Sequence, residues 1–381
     1  MSKIKYGMVG GDVHAFIGEV HRNAIALNRQ IELVCGAFSN IPEYNKETGE
    51  VYCIDTDRVY YDYKEMVKKE AEKGEIDFVS ICTPNFLHYE IAKAFLEAGI
   101  NVVCEKPLCF EVEQALELEA LAKEKDLLFG VTYTYTGYTM VKVAKELIAR
   151  GEIGEIINVN GEYAQEWLID EVGRDQSDTA NLSVWRKDPK MSGISNCVGD
   201  IGTHLENMIH YLTGLEIKRV SAVLDNYGNP LDLNANMLVE YTNGVHGNYW
   251  SSQIACGHLN GHKFRIFGTK GAIEWNQEFP DQLNLTRKGC ATEVLNRGTG
   301  YLDVDAAGFS RIPFGHPEGL HLAFSNIYKN YANALRNKKA GLPYDKYDLD
   351  FPSVKDGVAG VKFVHAVVES SKNDGAWVEI K

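Results

Sequence analysis

The sequence of 381 residues contains no apolar run that approaches the roughly 20 residues a membrane-spanning helix needs. It also lacks an excess of positive charge, because 53 acidic residues outnumber 39 basic ones and leave a net charge of −14. A surface of that sign repels nucleic-acid phosphates and anionic lipids. The sequence therefore predicts neither nucleic acid nor a membrane as a partner.

Cysteine pairs of the kind that bind zinc are missing as well. The eight cysteines are scattered, and no Cys-x-x-Cys spacing occurs among them. Cys35, Cys82 and Cys104 lie inside apolar runs, which is typical of small core residues in a reducing compartment. The amino terminus runs directly into a strand pattern without the apolar segment of a signal peptide. We therefore expect a cytoplasmic protein without a structural zinc site.

The pattern of apolar residues changes along the chain. Strand and helix patterns alternate at first, with strands at 5–9, 31–37, 76–82, 102–104 and 127–132. This alternation predicts a doubly wound parallel sheet. Further on, several strand patterns follow one another through short turns, which predicts a mostly antiparallel sheet. We therefore predict an α/β protein with domains at 1–133 and 134–381, whose C-terminal helices cover the second sheet or return to the first domain.

A glycine-rich turn separates the first strand from the first helix. Gly10 and Gly11 lie in this turn, and such a turn allows backbone N–H groups to approach a pyrophosphate. The spacing is not Gly-x-Gly-x-x-Gly, so a plain turn is an equally good interpretation. The second strand is followed by Ser39 instead of the acidic residue that usually binds the ribose diol of NAD. No Arg comes directly after it, which favours NAD and leaves NADP open.

A lysine stands at the predicted carboxyl end of a buried strand. Lys106, between Glu105 and Pro107, follows the apolar run 102–104. Ligands bind at the carboxyl ends of strands in an open parallel sheet, so the Lys106 ammonium is well placed to contact a substrate. The alternative is an ordinary surface lysine in a strand-to-helix turn.

A carboxylate and an imidazole form a second candidate group. The helical pattern from Asp200 to Thr213 places Asp200 and His204 one turn apart on one face. A carboxylate beside an imidazole orients it and favours its protonated form, as a base that accepts a proton from an alcohol requires. Three alternatives stay open: Asp200 as a helix cap, His204 as a core residue, or a metal site that adds Glu206 or His210.

Together these motifs resemble the Gfo/Idh/MocA family of oxidoreductases, named for glucose–fructose oxidoreductase and inositol dehydrogenase. Beyond the glycine-rich turn, the motifs that carry the resemblance are Thr83-Pro84-Asn85 with His88, Glu105-Lys106-Pro107, Trp185-Arg186 with Pro189, Ser192-Gly193, Asp200 with His204, and Gly268-Thr269-Lys270-Gly271. The resemblance runs nearly end to end. It implies an N-terminal Rossmann domain and a C-terminal α/β domain with a large, mostly antiparallel open sheet, through which a homodimer or homotetramer would form.

The resemblance also implies roles for individual residues. Lys106 would hydrogen-bond the reacting oxygen, His204 would act as the general base, and Asp200 would orient it or bind a neighbouring hydroxyl. The residues expected to line the cofactor are Gly10, Gly11, Phe16, Ile17, Ser39, Thr83, Pro84, Asn85, His88, Glu105 and Lys106. Those expected to contact the substrate are Trp167, Arg186, Asp200, His204 and His316. No metal is implied. An insertion at 12–16 and the missing acid leave the choice between NAD and NADP open.

The implied function is that of an NAD(P)-dependent enzyme acting on CH–OH groups. It would transfer a hydride between nicotinamide and a ring hydroxyl of a sugar, an inositol or a glycoside, with C3 of a glucoside as one option. His316 and Glu318 are expected either to contact a hydroxyl or to tie the loop before the next helix. Two alternatives stay open: a redox-neutral, NAD-dependent glycoside hydrolase, and a non-catalytic cofactor-binding regulator, against which the presence of Lys106, Asp200 and His204 argues.

Overall fold

The structure, a computed structural model, describes residues 3–173 and 188–381. The chain divides into two units, each assembled from two segments. The first unit combines the residues up to Gly137 with Leu320–Val358, and the second combines Tyr138–Gly319 with Ala359–Lys381.

The regular elements of the described ranges are numbered in chain order. The α-helices are α1 Phe16–Ala26, α2 Pro42–Val51, α3 Tyr63–Lys73, α4 His88–Glu97, α5 Val112–Glu124, α6 Thr139–Ala149, α7 Pro189–Ser192, α8 Thr203–Thr213, α9 Leu320–Ala340 and α10 Val354–Lys372. The strands are β1 Ile4–Gly10, β2 Ile31–Ala37, β3 Phe78–Cys82, β4 Asn101–Cys104, β5 Phe129–Val131, β6 Ile156–Ala164, β7 Ile217–Asp225, β8 Asn234–Tyr241, β9 His246–Ser252, β10 Gly261–Gly268, β11 Gly271–Asn276, β12 Gln282–Arg287, β13 Thr292–Asn296 and β14 Val378–Glu379.

The first unit is built on a parallel sheet with the strand order β2-β1-β3-β4-β5. Val59 adds a parallel bridge to Gly36 of β2, which completes the layout of a Rossmann sheet. Every residue of β3 is buried, as expected for a strand whose sheet is covered on both faces. The strand order reverses between β1 and β3, and ligands bind beyond the carboxyl ends of the strands at such a point. The prediction of a doubly wound parallel sheet is confirmed.

Helix α9 completes the core of this first unit. Its side chains Phe324, Tyr328 and Tyr331 are no more than 1% exposed. They belong to one apolar cluster with Tyr6 and Phe78 of the sheet, and the Phe78 and Tyr331 ring centroids lie 5.3 Å apart in an edge-to-face arrangement. The core of the first unit therefore depends on a segment from near the end of the chain.

The second unit is built on a nine-stranded sheet in the order β13-β12-β11-β10-β6-β9-β8-β7-β14. Neighbouring strands run antiparallel, except that β6 and β9 are parallel. Buried and exposed residues alternate along β8 and β12, because one face of the sheet is packed and the other is open. The prediction of a large, mostly antiparallel open sheet is confirmed.

The segment around Asp200 begins differently from the predicted α-helix. Val198–Gly202 forms a π-helical turn, and α8 continues from Thr203. The helix ends at Gly214, whose φ of +69° is the left-handed conformation of a glycine C-cap. Asp200 therefore lies in the π-helical turn, a feature found most often at functional sites.

Candidate active site

The segment from the end of β1 to the first turn of α1 requires glycine at three positions. Gly10 and Gly11 have φ values of +76° and +69°, in the left-handed region that favours glycine. A Cβ atom on Gly18 would lie 2.4 Å from the Gly11 Cα atom, and one on Gly10 would lie 2.8 Å from the Cys82 carbonyl oxygen. Side chains are thus excluded here, and a ligand can approach the backbone closely.

The start of α1 carries no side-chain cap. Ala15 occupies the N-cap position without a capping hydrogen bond, and Phe16 is 75% exposed. The first N–H groups of a helix, among them those of Phe16 and Ile17, have no partner within the helix and attract anionic groups. This helix start therefore suits the pyrophosphate of a dinucleotide.

The inserted residues after Gly11 are fixed by neighbouring helices. The Val13 N–H donates to Thr48 Oγ1 of α2 at 3.1 Å. The buried guanidinium of Arg22, on α1, donates to the carbonyl oxygens of Gly11 and Asp12. The insertion is therefore a tied part of the turn rather than a free loop.

Ser39 lies beyond the carboxyl end of β2, with its backbone held by α2. The buried Asn45 side chain accepts from the N–H groups of Phe38 and Ser39 at 2.7 and 3.3 Å. The Ser39 hydroxyl accepts from the Ile41 N–H at 3.3 Å, which leaves its own proton for a ribose hydroxyl or a phosphate.

His88 joins the loops that follow β3 and β4. It is completely buried, with Nε2 at 2.9 Å from the Thr83 carbonyl oxygen and Nδ1 at 2.8 Å from that of Pro107. Burial lowers the pKa of His88 and outweighs the two carbonyl contacts, which raise it. A neutral ring donates to one of the two carbonyls at a time. His88 thus holds together the loops that carry Asn85 and Lys106.

Thr83 places a buried hydroxyl group beside the glycine-rich turn. Its Oγ1 atom is buried, and within the described part of the chain no group hydrogen-bonds to it. A Cβ atom on Gly10 would lie 2.9 Å from its methyl group, so this hydroxyl lies beside the glycine turn. Pro84 is exposed and Asn85 opens a 3₁₀ turn directly afterwards. A buried hydroxyl normally has a partner, and together with the side-chain-free turn and the uncapped helix it fits a bound dinucleotide.

Glu105 places a buried carboxylate directly before Lys106. Its Oε1 atom accepts from Thr132 Oγ1 at 2.6 Å and lies 2.8 Å from His21 Nε2. Its Oε2 atom accepts from the Lys106 N–H at 3.1 Å. Burial raises the pKa of Glu105, but His21, Lys106 and Thr132 outweigh it and lower this pKa overall. The ionised carboxylate thus fixes the backbone from which the half-buried Lys106 side chain extends.

His21 of α1 is the cationic partner of that carboxylate. Its Nδ1 atom lies 2.6 Å from the Tyr328 hydroxyl and 3.3 Å from Ser80 Oγ. Burial alone would lower the pKa of His21, but the Cys82 and Glu105 side chains raise it to about 10. An imidazolium therefore neutralises Glu105 inside the first unit.

In the second unit, Asp200 and His204 lie on one continuous helical segment. Asp200 is half-buried and His204 is 6% exposed. Gln253, which follows β9 and is completely buried, donates from Nε2 to Asp200 Oδ2 at 2.9 Å. The Asp200 carboxylate is therefore oriented by a side chain from the segment that follows β9.

Aromatic rings surround His204. The Tyr163 and His262 rings stack with centroids 4.8 Å apart and planes 7° apart. The His204 centroid lies 6.0 Å from that of Tyr163 and 6.3 Å from that of His262. Burial lowers the pKa of His262 to about 3, so this neighbour is neutral. His204 therefore lies near two tilted rings, of which His262 is neutral and adds no positive charge beside it.

Trp167 lies beyond the end of β6 and is 42% exposed. Its indole N–H donates to Gln165 Oε1 at 2.9 Å. Gln165 and Tyr163 in turn both donate to Asn260 Oδ1 at 2.8 Å. One edge of the Trp167 ring is thus fixed, while the rest is partly open to a ligand such as a sugar ring.

The loop that contains His316 is held in place by the buried side chain of Arg297. The buried Arg297 guanidinium lies 2.7 Å from an Asp281 oxygen and 3.2 Å from Glu318 Oε1, and it donates to the His316 carbonyl oxygen. Glu318 Oε1 also accepts from the Ile312 N–H at 3.0 Å. Glu318 therefore serves as the loop tie, while the His316 side chain is exposed.

Three further points concern Arg186, metal ligands and membrane spans. Arg186 lies outside the described residues. Within the ranges 3–173 and 188–381, no group of three or more His, Cys, Asp or Glu residues is arranged to hold a metal ion. None of the helices in the described part of the chain is long and apolar enough to cross a membrane.

No sequence pattern predicted the side chains that hold the candidate catalytic residues. Gln253 is 53 positions away from Asp200, and Tyr328 is 307 away from His21. His21 itself offered one signal, since a histidine lies between Val20 and the apolar positions Ala24 and Ile25 of an amphipathic helix. A polar group on such a face needs a buried partner, which here is Glu105.

Known proteins match the chain over nearly its whole length. A family model described as "Oxidoreductase family, NAD-binding Rossmann fold" matches residues 4–133, and one described as "GFO/IDH/MocA C-terminal domain" matches residues 141–274. The protein named "Uncharacterized oxidoreductase YfiI" of Bacillus subtilis (strain 168) is 35% identical, over 99% of this chain and 97% of its own. Levoglucosan dehydrogenase of Pseudarthrobacter phenanthrenivorans is 28% identical over 80% of each chain.

A solved structure is similar in both sequence and fold. It is that of an inositol dehydrogenase homolog from Azotobacter vinelandii in complex with NADH and myo-inositol. It is 36% identical, covers 99% of this chain and 98% of its own, and superimposes with a TM-score of 0.89. The Rossmann unit described above is thus an NAD-binding domain, and the chain is an oxidoreductase.

Proposed function

This chain belongs to the GFO/IDH/MocA family of oxidoreductases, and on that premise we propose that it transfers a hydride between NAD and a ring hydroxyl of a sugar, an inositol or a glycoside. The observation that carries the proposal is the fixed position of Lys106. A buried carboxylate holds its backbone at 3.1 Å, at the carboxyl edge of the parallel sheet where Gly10 and Thr83 also lie. That edge is where a Rossmann sheet binds its dinucleotide.

Each candidate catalytic residue would have one task. The Lys106 ammonium would bind the reacting oxygen and stabilise the negative charge that develops there. His204 would accept the hydroxyl proton during oxidation and return it during reduction. The Asp200 carboxylate would orient the imidazole and favour its protonated form. When bound, nicotinamide accepts the hydride from the carbinol carbon.

The cofactor would be held mainly by backbone groups. Gly10 and Gly11 would face the pyrophosphate together with the start of α1 at Phe16 and Ile17. Thr83 Oγ1, buried without a partner in the described ranges, would donate to or accept from the cofactor. The remaining residues that would line the cofactor site are Pro84, Asn85, His88 and Glu105. The Ser39 hydroxyl would meet the adenosine ribose, so NAD is our first choice and NADP the second.

The substrate that we propose to test first is a cyclic polyol. The A. vinelandii homolog was solved with myo-inositol, and the name of the P. phenanthrenivorans relative identifies an anhydrosugar as its substrate. The partly open ring of Trp167 would stack on the carbon face of such a ring. His316 and Arg186 would lie at the rim of the same site, and oxidation at C3 of a glucoside stays a further option.

A substrate panel tests the proposal. Inositols, free hexoses and glycosides are incubated with NAD or NADP, and the absorbance of reduced nicotinamide is followed. We expect net NADH formation with at least one ring alcohol. Release of the aglycone from a glycoside without NADH accumulation would indicate a redox-neutral hydrolase instead, and no turnover of any compound would contradict the proposal.

A lysine variant tests the role of Lys106 separately. Lys106→Ala should lower kcat by about a hundredfold or more, because the developing charge loses its stabilising partner, while the dissociation constant of NAD changes little. Lys93→Ala is the matched control, since Lys93 pairs with Glu117 on the surface of the same unit. Near-normal kcat in Lys106→Ala would show that this ammonium does not act on the substrate.

We further propose that the open face of the nine-stranded sheet packs against a second copy of the chain, in a homodimer or homotetramer. The face has a shallow cavity of about 680 Å³ whose lining includes Leu238, Trp250 and Arg265. Leu238 and Val223, which also lines the cavity, are 49% and 56% exposed there, so the face carries more than one apolar side chain that a second copy would cover. Light scattering should show an oligomer that Leu238→Asp dissociates; a monomeric wild type would contradict this assignment.

We also propose a reducing compartment such as the cytoplasm. All eight cysteines are free thiols, as is usual where glutathione keeps cysteines reduced. Fluorescent tagging in the source cells would test this location.

A further inference from the structure

A chain of buried amide groups leads to Asp200. The Asp232 carbonyl oxygen accepts from Asn196 Nδ2 at 3.3 Å, and the same nitrogen donates to Gln253 Oε1 at 2.7 Å. Gln253 Nε2 then donates to Asp200 Oδ2 at 2.9 Å. Asn196 and Gln253 are no more than 3% exposed, so water does not compete for these bonds.

We call this chain of hydrogen bonds from Asp232 through Asn196 and Gln253 to Asp200 the relay. The donors and acceptors along it can be arranged in one direction only. A backbone carbonyl only accepts, so Asn196 has to present its NH₂ group to Asp232. Gln253 therefore has to present its oxygen to Asn196 and its NH₂ group to Asp200. A rotated Gln253 amide would place NH₂ against NH₂ on one side and oxygen against carboxylate on the other. Asp200 consequently meets a donor, which favours its ionised form.

The Asp232 end of the relay is anchored by its own carboxyl group. The Asp232 carboxyl group accepts from the N–H groups of Asn196 and Val198 at 2.9 Å each, and from Ser195 Oγ at 3.1 Å. These bonds hold the loop before β8 against the residues that lead into the π-helical turn. The carbonyl that sets the direction of the relay is therefore immobile with respect to Asp200.

The backbone of Gln253 is anchored in the same way. Its N–H donates to the Leu233 carbonyl oxygen, and its carbonyl oxygen accepts from the Leu168 N–H, both at 2.9 Å. Among the described residues, the titratable groups beside the relay include Asp232 and Cys197, and burial raises the pKa of the Cys197 thiol far above its usual range. Gln253 itself carries no charge, so its contribution to Asp200 is the direction of one hydrogen bond.

We propose that Gln253 is a positioning residue for the dehydrogenase reaction: it keeps Asp200 ionised and oriented so that this carboxylate supports proton transfer at His204. This assignment rests on the proposed function, in which Asp200 and His204 act on the substrate hydroxyl. Gln253, which follows β9, thereby joins the site. The sequence motif alone identifies only Asp200 and His204 of the helical segment.

The central test exchanges the amide for a carboxyl group of the same shape. In Gln253→Glu two carboxyl groups face each other at the distance of a hydrogen bond, and such a pair shares one proton. We expect the pH profile of kcat/KM to gain an ionisation that the wild type lacks. We also expect the thermal unfolding temperature of the ligand-free protein to fall as pH rises and that shared proton is lost.

The second unit contains a matched control. Asn234 Oδ1 accepts from the Trp250 indole N–H at 2.9 Å, and Asn234 Nδ2 donates to Asp225 Oδ2 at 2.8 Å. Asn234→Asp therefore introduces a comparable carboxyl pair whose partner is Asp225 and not Asp200. Its unfolding temperature should become pH-dependent, while its pH profile of kcat/KM should match that of the wild type.

A second variant covers the case in which Gln253→Glu does not fold. Gln253→Met has a similar length and no charge, but it donates no hydrogen bond. We expect kcat to fall by about ten- to a hundredfold, because a hydrogen bond to a charged group is lost, with the NAD dissociation constant unchanged. Wild-type kcat in Gln253→Met, or a wild-type profile in a folded Gln253→Glu, overturns the proposal.

Failure of the proposed function looks different from failure of this inference. If the wild type turns over no ring alcohol, the dehydrogenase assignment fails, and the unfolding measurements on the ligand-free protein still report the carboxyl pair at position 253. An active wild type with an unaffected Gln253→Glu profile overturns only the role of Gln253.

Discussion

Replacing His21 by leucine removes the positive partner of a buried carboxylate while a side chain of similar size remains. His21 Nε2 lies 2.8 Å from Glu105 Oε1, and the two side chains are 0% and 10% exposed. In the variant, the carboxylate keeps the hydroxyl of Thr132 and the N–H of Lys106 but loses the imidazolium. Removing one partner of a buried ion pair costs about 3–5 kcal/mol, a large share of the roughly 5–15 kcal/mol that stabilises a folded domain.

The pH dependence of the free energy of unfolding gives a second value for the contribution of the His21 proton. Burial lowers the pKa of His21, yet Cys82 and Glu105 raise it to about 10 in the folded protein. The value in the unfolded chain is about 6.5. The stability that this proton contributes is thus complete below about pH 6.5 and is lost as pH rises through about 10. At pH 7, about three pH units at roughly 1.36 kcal/mol each correspond to about 4 kcal/mol, a value to which Cys82 contributes as well as Glu105.

At acidic pH the relevant group is Glu105, and its contribution to stability is lost as pH falls. The pKa of Glu105 is lowered overall, since His21, Lys106 and Thr132 outweigh the effect of burial. Its contribution is therefore present above the unfolded value of about 4.3 and is lost as pH falls through the lower folded value. The stability deficit of His21→Leu should be largest between about pH 4.3 and 6.5 and shrink towards pH 10.

The assay is thermal unfolding, followed by circular dichroism over this pH range. Because 1 kcal/mol corresponds to about 2–4 °C in a unit of roughly 150–250 residues, the range that includes the first unit, His21→Leu should unfold roughly 6–20 °C below the wild type near pH 6. The double variant with Glu105→Gln should recover part of the loss, since a neutral amide needs no counter-charge. His14→Leu is the control: His14 pairs with Glu47 at 3.0 Å, but both side chains are half-exposed.

The His14 control should stay within about 0.5 kcal/mol of the wild type, as exposed pairs contribute little. A His21→Leu deficit that is equally large at pH 6 and pH 10 would refute the assignment of an imidazolium. A double variant that is less stable than His21→Leu would refute the claim that the uncompensated carboxylate causes the loss.

Three further predictions concern the glycine turn, the cofactor preference and the loop before α9. Gly18→Ala places a Cβ atom 2.4 Å from Gly11, and calorimetric titration should show NAD binding weakened by about tenfold or more. The control is Gly300→Ala, whose added Cβ has no atom within 4 Å and which should bind NAD normally. Equal NAD affinities of the two variants would contradict the packing argument. Ser39→Asp adds the carboxylate that binds a ribose diol and should raise the NAD-to-NADP ratio of kcat/KM by about tenfold; an unchanged ratio would place the ribose elsewhere. Arg297→Leu leaves two carboxylates without their buried partner, and urea unfolding should show a loss of about 3–5 kcal/mol; a loss below about 1 kcal/mol would mark these ion pairs as weak.

The fold class was predictable because most strands carry an apolar pattern, and the exceptions have physical reasons. Helix α2 was not predicted, since its buried residues are Asn45, Thr48 and Gly49 and no apolar stripe exists. Strand β13 was not predicted either, because nearly all its residues are exposed at the edge of the sheet. The π-helical turn at Val198–Gly202 has no periodic signature that distinguishes it from an α-helix.

The candidate site was predictable only as far as local spacing reaches. Lys106 follows a buried strand, and Asp200 and His204 share a helical repeat, so both groups could be found in the sequence. Their supporting partners come from elsewhere in the fold: His21 is 84 positions from Glu105, and Gln253 is 53 positions from Asp200. Such pairings follow from tertiary packing, which spacing along one chain does not encode. The role of Arg186 stays a prediction.

The packing of α9 into the first unit has a consequence for biosynthesis. Translation releases the parallel sheet first, while Tyr328 and its neighbours on α9 are made about three hundred residues after His21. A nascent chain that ends before Leu320 therefore exposes the faces of Tyr6 and Phe78 that α9 later covers. The unit whose sheet is made first on the ribosome therefore cannot close its interior until nearly the whole chain has been synthesised.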